Sequence, residues 1–223
     1  MARWEPDARG RLEKAAMELF VERGYVRTTV AEIAERAGLT ERTFFRYFTV
    51  KREVLFSGSK ELEKSIVDRV ASAPKRGAPL DVVANAFEAA GAALQAHRDL
   101  GYVRARSAIV VEHAEVRERE LIKMASIAAA VTQALRARGV VEPTASLVAE
   151  AGIAVFKIGF ERWVSAKKPG DLAAHIRAAV DALKAITAAK APTARRSTRT
   201  PRPAKRPWPR QLPRPRAPST TSK

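Results

Sequence analysis

Residues 28–51 read TTVAEIAERAGLTERTFFRYFTVK. Within this stretch Val30, Ile33, Ala34 and Ala37 recur at spacings of three and four, the pattern of a helix with one buried face. Thr29-Val30-Ala31-Glu32 is a capping box, in which side chains at both ends satisfy the first free amides of a helix. Gly38 ends this helix. A second helix of two turns is expected from Thr40 to about Tyr47. Small Ala34 and Ala37 let two helices cross closely, and Gly38 permits the tight turn between them. Together these are the physical requirements of a helix-turn-helix.

The second helix of such a unit enters the DNA major groove. Here it presents Thr40, Glu41, Arg42 and Thr43 at its leading end, where free amides favour a phosphate. Arg42 can bond a guanine through two N–H groups, and Thr43 can touch a thymine methyl or a phosphate. Tyr47 and Lys51 follow at spacings of four and suit phosphate contacts that set register. A plainer reading makes Glu41 a solvated acid complementing the helix dipole and Phe44 and Phe48 core.

Outward from this stretch the periodicity stays helical. Leu12, Ala15, Ala16, Leu19 and Phe20 form one buried face, opened by Pro6 and Asp7 and closed at Gly24. After the short helix, Thr49 is expected to cap a fourth that runs through Leu55, Leu62, Ile66 and Val70. Pro74–Pro79 breaks the chain. Further helices are expected at roughly 80–97, 99–113, 116–138, 144–166 and 171–188. No window shows the alternation of a strand. The expected fold is all-α, with about nine helices. A DNA-binding domain over 1–56, an effector and dimerisation domain over 57–189 and a tail over 190–223 divide it.

The chain has 223 residues and a net charge of +17. Eleven of its 41 Lys and Arg residues lie between Lys190 and Lys223, a stretch without an acid that also holds eight of the 13 prolines. Such a composition cannot bury enough apolar area to offset its ordering entropy, so the tail is expected to be disordered. It reads either as an electrostatic arm for DNA or as an inert extension. The absence of cysteine excludes disulfides, thiolate metal sites and cysteine nucleophiles. No apolar h-region stands near Met1 and no run of about eighteen apolar residues occurs. A cytoplasmic protein, without membrane contact or cofactor, is the expectation.

The residues from about Arg9 to Phe56 resemble the DNA-binding domain of the TetR family of bacterial repressors. The likeness rests on Ala16-x-x-Leu19-Phe20, Gly24-Tyr25, Thr28-Thr29-Val30, Ile33-Ala34, Ala37-Gly38-Leu39-Thr40, Thr43-Phe44-Phe45-Arg46-Tyr47-Phe48 and Lys51. It implies an all-helical homodimer with a variable ligand-binding domain. It also implies a DNA-facing set of Thr28, Thr29, Thr40, Glu41, Arg42, Thr43, Phe45, Arg46, Tyr47 and Lys51. Two departures stand out: Phe45 replaces a usual tyrosine, and Thr49-Val50 replaces the usual Pro and Ser or Asn.

The last two expected helices are rich in Leu, Ile, Val and Ala. They either pack within the monomer or form a two-fold four-helix interface, to which the resemblance also points. Arg104, Arg106, His113 and Trp163 are candidates for lining a pocket for a largely apolar effector; the alternative makes each a paired, solvated or core residue. The run from Arg104 to Arg119 is similar to regulators of actinobacterial type, some of which sense acyl-thioesters. An enzyme is not expected: His97, His113 and His175 lie far apart, and no phosphate loop or nucleophile elbow is present. The rival to a ligand-responsive repressor is a sequence-neutral DNA-binding protein driven by its tail.

Overall fold

Capping groups visible in the sequence fix the first turns of the chain. In the computed structural model, which describes residues 7–188, Asp7 accepts a hydrogen bond from the Gly10 amide and opens α1 (Ala8–Arg23). Thr29 and Glu32 close the expected capping box on α2 (Val30–Arg36). Thr40 accepts from the Thr43 amide and opens α3 (Glu41–Tyr47). Gly38 lies between α2 and α3 at φ 65°, a conformation that a side chain disfavours.

The chain then departs from expectation. Residues Lys51–Phe56 form a 3-10 turn, preceded by Val50 without a side-chain cap, and α4 begins only at Ser59. Thr49 therefore caps nothing, and the expected continuous fourth helix is broken at Ser57-Gly58. The cause is packing: Val54, Leu55 and Phe56 are all buried, on different sides of the turn. A straight α-helix would turn one of three successive residues away from the core.

Five longer helices follow: α5 (Pro79–His97), α6 (Leu100–Glu112), α7 (Ala114–Ala137), α8 (Thr144–Ser165) and α9 (Leu172–Ala188). Among the described residues there are nine α-helices and no strand. The tail over 190–223, expected to be disordered, lies outside them.

Two apolar cores organise the molecule. The first surrounds Leu12, Phe20, Ile33, Phe44 and Phe48, and binds α1, α2, α3 and the 3-10 turn into a reading head. The second joins α4, α5, α7, α8 and α9 into a body around Phe87, Ile127, Leu135, Trp163 and Ile176. Ile109 of α6 and Val116 of α7 pack into the head's core, so the body reaches into the head. The body's helices approach closely where side chains vanish. A Cβ on Gly159 would lie 2.7 Å from the Ile176 Cα, so α8 and α9 touch backbone to backbone there.

Candidate nucleic-acid interface

Helix α3 divides its side chains sharply. Phe44 and Phe48 are buried against the head, while Glu41, Arg42, Phe45, Arg46 and Tyr47 face solvent and Thr43 is half-buried. The exposed set lies at one, two, five, six and seven along the helix, which is a single broad face. Phe45 is 51% exposed and Tyr47 42%, high values for aromatic side chains. Arg46 stacks its guanidinium over the Tyr47 ring at 5.0 Å. Cations and amphipathic rings on one helical face can meet phosphates and base edges together.

Other residues of the implied DNA-facing set hold this face in place. The Thr28 side chain is buried and donates to the carbonyls of Gly24 (3.0 Å) and Leu19 (3.3 Å). Thr29 is occupied in the capping box, its amide donating to Glu32 at 2.8 Å. Thr40 and Thr43 share a hydroxyl bond of 3.1 Å at the start of α3. Lys51 donates to the carbonyls of Tyr25 (2.7 Å), Thr28 (2.8 Å) and Val26 (3.4 Å), which matches the three donors of an ammonium. Its Nζ also lies 4.3 Å from the Tyr25 ring centroid. Burial lowers the Lys51 pKa, against the pull of Glu115 and Glu32. In this structure Lys51 pins the α1–α2 loop.

This geometry matches a known domain. Residues 12–57 fit the model of bacterial regulatory proteins of the tetR family. The family likeness in sequence rests on these residues of the head. The chain is 36% identical over 81 residues to the HTH-type transcriptional regulator TcmR of Streptomyces glaucescens, covering 36% of each chain. The curated relatives that it matches are thus spanned over only about a third of their length. Solved structures extend the likeness of fold. FadR of Thermus thermophilus, a TetR-family repressor crystallised with lauroyl-CoA, is 24% identical at a TM-score of 0.52, covering 88% of this chain and all of that one. The SmeT–triclosan complex, of the Stenotrophomonas maltophilia efflux-pump repressor, is 19% identical at a TM-score of 0.57, covering 80% and 90%.

The four pocket candidates are scattered through the fold. Arg104 donates to the carbonyls of Val164 (2.9 Å) and Ala166 (2.7 Å), tying α6 to the end of α8. Trp163 is buried and donates to the Gly170 carbonyl at 3.2 Å. The His113 ring packs against Tyr25 at 4.8 Å, between the head and the α6–α7 junction. Arg106 donates to the Leu55 carbonyl (2.8 Å) and to Glu120 (2.7 Å).

Arg106 belongs to a joint that sequence reading missed. Phe56 of the head is surrounded by Arg119 at 4.9 Å, Arg106 at 5.1 Å and Lys123 at 5.9 Å from its ring centroid. Arg119 grips Glu53 with two bonds, of 2.9 and 3.2 Å. Lys123 pairs with Glu120 at 2.6 Å. Burial raises the Glu120 pKa, but Arg106 and Lys123 outweigh it and hold the carboxyl below its ordinary range. Burial, with repulsion from Arg106 and Arg119, pulls Lys123 down to about 8 against the attraction of Glu120. Glu120 has two cations beside it, so Lys123 is the surplus charge. The available signal was Arg119, Glu120 and Lys123 along about one turn of a helix. A second tie joins Arg98 to the buried Glu13 at 2.7 Å, and Ser57 donates to the same carboxylate.

Proposed function

We propose that this chain is a homodimeric transcriptional repressor that leaves its operator when a small, largely apolar molecule binds the body. The observation that carries the reading is the α3 face, with Arg42, Phe45, Arg46 and Tyr47 exposed on a helix whose other side is locked into a core. Arg42 and Thr43 are the base-reading residues of this proposal. Arg46 and Tyr47 contact phosphate, and Thr28, Thr29, Thr40 and Lys51 hold the helix at its angle. Phe45 supplies apolar contact where a hydroxyl is lacking, and Glu41 complements the helix dipole.

A dimer follows from the two half-sites that such proteins read, spaced by about 34 Å or its multiples. The proposed interface is the outer face of α8 and α9. Leu147 is 67% exposed and Ile158 44%, and Ile186 near the end of α9 is 74% exposed. Ala174, Ala178, Ala182 and Ala185 lie exposed along α9 and allow close approach of a second pair of helices. A two-fold axis would bury this surface against itself.

Support for an apolar effector comes from the body's interior, where Phe87, Phe156, Phe160 and Trp163 form a chain of rings 5.6 to 6.2 Å apart. The relatives whose structures hold lauroyl-CoA and triclosan favour the same class. A ligand that prefers a body conformation with wrongly spaced heads releases DNA by that difference in affinity. The Phe56 joint, through Arg106 of α6 and Arg119 of α7, is the proposed link. No helix among the described residues is long and apolar enough to cross a membrane.

Footprinting on DNA flanking the protein's own gene tests the reading. Intact chain and a 1–189 truncation should both give discrete two-fold protection, with the truncation losing mainly salt-sensitive background. Arg42→Ala should cost about 1–3 kcal/mol and relax specificity at one base pair per half-site. Diffuse protection that vanishes with the tail would refute it.

A further inference from the structure

A cleft of about 350 Å³ lies behind the exposed end of α3, bounded by the 3-10 turn, the first turn of α4 and α1. That volume falls within the range of about 300–1,000 Å³ typical of small-molecule sites. Its exposed aromatic wall is Tyr47, with the largely buried Phe48 and Phe56 behind it. Its charged walls are Arg9, Arg46, Lys60 and Arg119, against only Glu53 and Glu61. Both acids have partners already: Glu53 is held by Arg119, and Glu61 lies 3.6 Å from Arg9. Among the described residues no acid pairs with Arg46 or Lys60. Behind Phe56 the imbalance continues, since Arg106 and Lys123 share the single Glu120. Arg9 has a second acid in Glu13, 3.7 Å away, so the cations left without an acid at the cleft are Arg46 and Lys60. The start of α4 adds to this potential, because Gly58 caps it without a side-chain bond to its first amides.

We infer that this cleft is a second ligand site, in the head and apart from the body, for a small aromatic carboxylate whose ring lies against Tyr47 and whose anion meets Lys60 and Arg46. A flat ring suits the exposed Tyr47 wall, and a carboxylate answers the two cations without an acid. A neutral apolar molecule would leave those cations unanswered. The occupant would take Arg46 and Tyr47 out of use for any other anion, so the site would act on the α3 face without passing through the body.

The test is direct binding in the absence of DNA, so its result stands apart from the repressor reading. Naphthoate titrated into the isotope-labelled full chain should give saturable amide shifts at Phe48, Thr49, Ser59 and Lys60. Lys60→Gln should weaken binding by about tenfold, the worth of one charge-assisted bond. Ser59→Phe, which fills the cleft from a half-buried first-turn position, should abolish it. Naphthalenemethanol, with the same ring and no charge, should bind more weakly by about tenfold or more. Shifts confined to α5, α7 and α8, or binding unchanged by both substitutions, would overturn the proposal. So would a cleft that responds to a short DNA duplex and never to naphthoate, which would make it a phosphate contact only.

Discussion

In the reading head Arg11, Thr28 and Lys51 aim their donors at main-chain carbonyls, those of Ala37, Gly24, Leu19, Tyr25, Val26 and Thr28. In the body such bonds occur at helix ends, as where Arg138 meets the carbonyls of Ala73 and Pro74 at 2.7 Å, and the middle is apolar side chain against side chain. The difference has a consequence for shape. Bonds to fixed carbonyls hold a surface at one angle, which a helix fitted to a groove requires. Apolar packing of the right volume tolerates rearrangement, losing uniqueness before stability. A body built that way admits rearrangement more readily than a head pinned at fixed carbonyls. The identity to TcmR, over little more than a third of the chain, fits a rigid head and a freely varied remainder.

Truncating the head's central ring should break this contrast most severely. Phe44 is fully buried, so Phe44→Ala should cost about 4 kcal/mol. Hydrogen exchange should show protection lost across α1–α3 and kept in α5, α8 and α9. Loss throughout the chain would mean that the head does not open alone. The converse variant is Gly159→Val, whose Cβ meets the Ile176 backbone. Prising α8 from α9 should cost about 3 kcal/mol, with exchange rising in α8 and α9 and protection kept in α1–α3.

The joint between the two regions gives a pH signature. Lys123 titrates at about 8 in the folded chain, below its ordinary 10.5, so the unfolded chain binds more protons between those values. Stability therefore rises with pH in that window, by about 2 kcal/mol from about pH 8 to about pH 10. Tyr25 acts in the opposite sense. Burial and Glu115 raise it to about 12, so stability falls as pH climbs above about 10. Denaturant unfolding across this range should show a maximum near pH 10. Lys123→Met should remove most of the rising limb, leaving the part that the lowered Lys51 contributes, and keep the falling one. A rise that survives the substitution in full would place its origin elsewhere.

The head was legible because its determinants are local. A threonine three residues before a glutamate, a glycine after an alanine pair and a two-turn apolar spacing each dictate geometry within a few residues. The expected caps at Asp7, Thr29 and Thr40 are all present. The break at Ser57-Gly58 was not legible, because the buried run Val54-Leu55-Phe56 reads as helix until the partners on its different sides are known. Arg104 and Arg106 stand in sequence as free cations on an apolar helix. Their partners are carbonyls and an acid 14 to 62 residues away, a separation that no pattern of spacing encodes. Lys51 suited a phosphate by its interval from Tyr47, yet the loop of Tyr25 to Thr28 encloses its ammonium. Local rules reached as far as the turn after α3, and the joint beyond it depended on tertiary contacts.

The smallest expected effect sharpens the idea that head residues hold angle as well as stability. Thr29 accepts from the Glu32 amide at 3.2 Å, and Glu32 returns a bond to the Thr29 amide. Thr29→Ala removes one arm of this box and should cost about 1 kcal/mol. Replacement by serine keeps the hydroxyl and should restore most of that loss. The two variants separate a cap from a DNA contact, because a serine hydroxyl caps as well as threonine's but lacks its methyl. If Thr29 serves only to start α2, stability and DNA affinity should fall together in the alanine variant and recover together in the serine variant. Affinity that stays low while stability recovers would show that the methyl itself lies against the duplex, and Thr29 would then belong to the reading surface as well as to its frame.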